Sequence, residues 1–144
     1  MILISDSSGI LAAVNTRDEY FERARKLLHV ETSVISQVAV TEVDHIAGSR
    51  RGWEAAMAAS DFITHLVTRR GHRLGRLDPV DLPKVQAVRR QYAGLELDLA
   101  DAIAVVLADK YKTNRILTLD QRDFRAVKPL TPAFDSFTIL PADG

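Results

Sequence analysis

Short apolar runs alternate with longer helix-patterned stretches along the whole chain, and few folds satisfy that rhythm. Ile2-Leu3-Ile4 is a buried-strand run that stops at Ser5-Asp6-Ser7-Ser8, where Ser7 or Ser8 caps a short helix over residues 10–14. Thr16-Arg17-Asp18-Glu19 has capping-box spacing and opens a helix with Tyr20, Ala24, Leu27 and Leu28 on one face. The β-branched residues of 32–35 read as a second strand. From Ser36 or Gln37 a helix runs with Val40, Val43, Ile46 and Ala47 as its stripe, ending at Gly48-Ser49, and another covers 53–70 and stops at Gly71. Residues 74–77 form a short strand, Asp78-Pro79 breaks it, and Asp81-Leu82-Pro83 starts a helix to about Tyr92, stopped by Gly94. A helix over 97–110 presents Leu99, Ile103, Val106 and Leu107, a strand covers 115–119, and a helical turn covers 120–126. A last strand at 137–140 belongs at a sheet edge because Pro141 follows. This alternation predicts one α/β domain over residues 1–144, with three layers: helices on both faces of a central, mostly parallel sheet.

A chain of 144 residues is of single-domain length, and a domain this size buries about 68–70% of its unfolded surface. It has no cysteine, which excludes a disulfide scaffold, a thiolate zinc site and a cysteine nucleophile. That fits a reducing, cytoplasmic setting. No uncharged apolar run approaches the roughly 18–20 residues of a membrane helix. The N-terminus carries Asp6 and lacks a basic leader, so it does not read as a signal peptide. Nineteen Lys+Arg balance nineteen Asp+Glu, which argues against a generic nucleic-acid coat and leaves room for a local basic surface.

The acids fall in a pattern. In open α/β sheets ligands bind outside the carboxyl ends of the strands, and Asp6 and Asp120 follow the first and fourth predicted strands. Glu42 and Asp101 sit in first turns of helices. Asp98 shares a helix face with Asp101 and reads more readily as the N-cap than as a metal ligand, and Asp123 lies three residues after Asp120. Asp6, Asp101 and Asp120 all have apolar flanks, so each is partly buried and in need of a partner. Clustered carboxylates cannot all ionise unless cations compensate. Oxygen ligands without cysteine or a histidine pair favour Mg²⁺, with Mn²⁺ as the alternative, over zinc. His29, His45, His65 and His72 read as surface or core-edge residues, and Trp53 as core packing or a base-stacking side chain.

Four segments in order resemble the PIN domain, and more closely the VapC-like toxins of bacterial type II toxin–antitoxin pairs. Ile4-Ser-Asp6-Ser-Ser-Gly-Ile-Leu-Ala resembles the family's opening strand, Thr41-Glu42-Val43 its Thr-Glu helix start, Leu97-Asp98-Leu-Ala-Asp101-Ala-Ile-Ala its Asp-Ala helix, and Ile116-Leu-Thr118-Leu-Asp120-Gln-Arg-Asp123-Phe124 its closing element. Only residues 49–93 carry no family motif. The resemblance implies an acidic catalytic set of Asp6, Glu42, Asp101 and Asp120. Asp6, Asp101 and Asp120 would hold the principal metal ion, and Asp98, Asp123, Thr118 and Ser7 would support them. It further implies a Mg²⁺-dependent endoribonuclease, a VapB-like antitoxin as partner and a homodimer.

Arg50 and Arg51, just after the helix of Glu42, are the expected RNA-phosphate contacts. The alternative is a non-cutting PIN-fold module that binds RNA or protein. A structure-specific DNA nuclease usually carries additional helical arches. A phosphotransfer receiver would need a second acid beside Asp6 and a lysine after the last strand. The chain has Ser7-Ser8 and no lysine in 137–144 instead.

Overall fold

The computed structural model describes all 144 residues. Five strands, β1 (Ile2–Ser5), β2 (Thr32–Ser36), β3 (Arg73–Gly75), β4 (Arg115–Leu117) and β5 (Thr138–Leu140), form one sheet in the order β3-β2-β1-β4-β5. Every pairing is parallel, so the sheet is wholly rather than mostly parallel. Seven helices connect the strands: α1 (Ser7–Val14), α2 (Phe21–Val30), α3 (Gln37–Arg51), α4 (Trp53–Arg69), α5 (Asp81–Gln91), α6 (Leu99–Lys110) and α7 (Gln121–Ala126). No helix is long and apolar enough to cross a membrane.

Side-chain alternation splits the strands between two cores. Leu3, Ile35, Leu117 and Leu140 face α1–α4, whereas Ile4, Val34, Ile116 and Ile139 face α5, α6 and Phe124 of α7. The chain moves outward from β1 to β3 with its helices on one face. It then crosses back to β4 with α5 and α6 on the other, as right-handed crossovers require. The reversal sits between β1 and β4, where the carboxyl ends leave a crevice.

Several local readings are corrected. Asp6, not Ser7 or Ser8, occupies the cap position of α1. The Thr16–Glu19 capping box opens no helix. Asp18 instead accepts from the Tyr20 amide at 2.8 Å in a local turn, and α2 starts at Phe21. Gly48-Ser49 lies inside α3, which ends at Gly52, whose φ of +91° suits glycine. Gly48 faces α4, where a Cβ would meet Ala56 at an ordinary contact distance of 3.5 Å. Leu99 is 46% exposed, because α6 is buried continuously only from Asp101 to Ala108. His72 is buried, its Nδ1 accepting from the Ser33 amide at 2.9 Å. Trp53 is 73% exposed and packs in neither core.

Candidate active site

The β1–β4 crevice is held shut by close packing beneath it. Gly9 of α1 lies against β4, where an added Cβ would stand 2.6 Å from both Leu117 Cγ and Leu117 O. This closeness lets Ser8 reach across the switch point. Its hydroxyl donates to Asp6 Oδ2 at 2.9 Å and accepts from the Leu119 amide at 2.9 Å. Thr118, 1% exposed, mirrors it, donating to Asp6 Oδ2 at 2.8 Å and accepting from the Asp120 amide at 3.0 Å. Two hydroxyls therefore fix the Asp6 carboxylate and the turn that carries Asp120. Ser8 escaped the sequence reading as a site residue. Its only signal is the Ser-Ser pair after Asp6.

Asp98 caps α6, accepting from the Asp101 amide at 2.8 Å, and Asp120 caps α7, accepting from the Asp123 amide at 3.2 Å. These caps aim Asp101 and Asp123 from adjacent helix starts. One carboxylate oxygen from each of Asp101, Asp120 and Asp123 lies within 4.8 Å of the others. Asp6 stands outside this triplet, close enough to raise the pKa of Asp101. Glu42, in the second turn of α3, borders Asp6, Asp98 and the Ser7 side chain. Arg50 and Arg51, exposed at the end of α3, line a groove of about 570 Å³ that opens on Ser7 and Ser8.

The electrostatics are those of a site built for a cation. Burial first, then repulsion from Asp98, Asp6, Asp120 and Asp123, pushes Asp101 up to about 8. Burial also raises Asp6, against hydrogen bonds from Thr118 and Ser8, and it raises Glu42, against the Ser7 side chain. Asp123 is raised by burial and by Asp120. Asp123 Oδ1 is buried with no hydrogen-bond partner. Three converging carboxylates, with one buried Asp123 oxygen that accepts no hydrogen bond and has only Arg122 Nε at 3.9 Å, and no cysteine in the chain, fit a hard divalent cation.

The family profile of the PIN domain matches residues 3–129. The chain is 27% identical over 141 residues to ribonuclease VapC26 of Mycobacterium tuberculosis, covering 96% of this chain and all of that protein. Among solved structures it resembles the Mycobacterium tuberculosis VapC20 toxin, described as cleaving the sarcin–ricin loop. That match has a TM-score of 0.72 and 18% identity, covering 85% of this chain and 92% of that one. It also resembles a chain of the Rickettsia felis VapBC2 complex bound to promoter DNA, with a TM-score of 0.58 and 15% identity, covering 81% and 86%.

Proposed function

From the premise that the chain belongs to the PIN-domain family, we propose that it is a metal-dependent endoribonuclease, the toxin of a type II toxin–antitoxin pair. The observation that carries this reading is the Asp101–Asp120–Asp123 triplet, with its orphaned oxygen, beside the buried Asp6. A PIN domain with such a centre, similar from end to end to a VapC ribonuclease, is equipped to cleave phosphodiesters.

Asp101, Asp120 and Asp123 would hold the principal ion, Mg²⁺ or Mn²⁺, with Asp6 beside them as the further carboxylate expected from the sequence. When bound, the ion supplies an activated water and offsets charge on the phosphate. Glu42 is half-buried with a raised pKa. This suits its carboxylate to orient the attacking water and take its proton. Ser8 and Thr118 hold the Asp6 carboxylate in place and oppose the rise that burial causes. Arg50 and Arg51 meet RNA phosphates at the rim.

The antitoxin is a VapB-like protein whose C-terminal segment covers the acids along the helices of 38–70. That partner class accords with the VapBC2 relative, which is itself a toxin–antitoxin complex. The toxin acts in the cytoplasm as a homodimer of single PIN-like units.

The test is digestion of total cellular RNA by purified wild type and Asp6→Asn, each with Mg²⁺ and with EDTA. Discrete fragments from wild type with metal alone are expected, and their ends identify the target. Preparations shown by mass spectrometry to be free of antitoxin, yet cutting nothing, would move the reading to a non-cutting PIN module.

A further inference from the structure

The α1–α4 face carries a run of cations that the acid cluster does not use. The groove that opens on Ser7 and Ser8 has Arg50 and Arg51 on one wall and Arg25 on the other. A second concavity of about 460 Å³ lies between α2 and α4, lined by Arg25, Lys26, His29, His65 and Arg70. Both are walled by Arg25 and Phe62, so they adjoin at the Arg25–Phe62 stack and together make a channel along α4 that this stack interrupts. Ala55 lines the first part and Arg70 the second. At 1.5 Å per residue along α4 they stand about 22 Å apart.

The cations in this channel have no acidic partner, although Arg70 meets His29 Nδ1 at 2.6 Å. Lys110 is paired with Asp78 and Asp81, Arg115 with Glu31, and Arg125 with Asp143. Arg25, Lys26, Arg50, Arg51 and Arg70 enter no ion pair. Asp18 is the one acid on the walls of the first part, and the second has none. Arg25 is also held in place. Its Nε donates to Ala13 O at 2.9 Å, and its guanidinium lies 5.3 Å from the Phe21 ring centre and 4.7 Å from that of Phe62. A guanidinium fixed in this way presents its remaining N–H donors as a planar fork, which suits phosphate oxygens.

We propose that this channel carries the RNA strand away from the acid cluster along α4. Arg25 grips a backbone phosphate midway, and Lys26 and Arg70 grip the strand at the far end. The proposal rests on the ribonuclease reading. A polyanion is repelled by the carboxylates, so its hold on the protein must come from cations displaced from them. A row of unpaired cations about 22 Å long matches the repeating charge of a nucleic-acid backbone better than one or two acidic side chains of a peptide.

The experiment is fluorescence anisotropy of a labelled single-stranded RNA of about 12 nucleotides, titrated at several salt concentrations with EDTA present. The proteins are wild type, Lys26→Gln with Arg70→Gln, and Lys84→Gln with Arg90→Gln. The last pair makes the same charge change on α5, across the sheet. Loss of two phosphate contacts should weaken binding on the order of tenfold and flatten the log–log salt dependence by about 1.4. The α5 pair should match wild type.

Wild-type affinity and slope in the Lys26/Arg70 variant would overturn the channel. So would an equal loss in the α5 pair, or unchanged RNA binding with lost binding of a polyglutamate peptide. Cleavage of the same RNA with Mg²⁺ separates the two readings. Wild type that cuts, with an unaffected Lys26/Arg70 variant, removes the channel alone. Wild type that binds with the slope difference but never cuts removes the nuclease and supports the channel as a nucleic-acid groove.

Discussion

Asp101 is 8% exposed and titrates near 8, so its proton is coupled to folding. Unfolded, the same carboxyl titrates near 3.8. The folded state binds the proton more tightly. Its stabilisation is therefore complete below about pH 4 and is lost as pH rises through about 8, amounting to a few kcal/mol on the order of magnitude. Asp6, Glu42 and Asp123 are raised as well and act with the same sign.

Metal-free wild type should melt at progressively lower temperature from pH 5 to pH 9, while Asp101→Asn melts higher at pH 9 with a flatter profile. Scanning calorimetry in EDTA checks this, and a flat wild-type profile would mean the crowding is relieved without protons. Because the cation displaces the proton, Mg²⁺ should bind more tightly at pH 9 than at pH 6, read by isothermal titration. At Thr118 one hydroxyl serves both Asp6 and the Asp120 amide. Thr118→Val should cost about 1–3 kcal/mol in denaturant unfolding, the penalty of leaving buried polar partners unmet. It should also weaken Mg²⁺ binding.

The elements that aim the acids make separate predictions. Asp98→Ala removes the α6 cap and should cost about 1 kcal/mol in stability. Asp98→Asn keeps a capping oxygen and should cost less stability, and less activity than Asp101→Asn. The reverse order of activities would place the wrong carboxylate at the metal. Gly9→Ala pushes α1 off Leu117 and should destabilise by about 1–3 kcal/mol. Cleavage should fall further than the lost folded fraction explains, because Ser8 and Thr118 separate.

The elements themselves were largely legible, since period-2 and period-3.6 patterns record which face is buried. Their ends were less so. Thr16–Glu19 has the letters of a capping box, but Asp18 spends its side chain on a turn. Gly48-Ser49 resembles a stop, but the helix runs through it and the positive φ comes at Gly52. The acids stood out as carboxylates among apolar neighbours. Which of them converge, and that Ser8 joins them, depends on the distance between α1 and β4. No single segment records that distance.

At the scale of the molecule, the sheet divides the labour. The α5–α6 face buries its helices around one core, with Lys110 paired to Asp78 and Asp81 at its margin, and the α1–α4 face lines the concavities beside the crevice with cations. The crevice itself joins distant parts of the chain. Asp6 comes from the first strand, Glu42 from α3, Asp101 from α6, and Asp120 and Asp123 from beyond β4. A divalent cation bound there ties these pieces together, so Mg²⁺ should raise the melting temperature of wild type. It should do so little in Asp101→Asn or Asp120→Asn, as differential scanning fluorimetry would show.

The β1–β4 switch point also sets when the centre can exist. β1 is made well before its neighbour β4, which follows α1–α6 in the chain. Until the ribosome releases residues 115–123, Asp6 lacks Thr118 and the triplet lacks two of its three members. A nascent chain therefore carries no complete cluster beside the translation machinery. The cluster is complete only once β4 has docked beside β1.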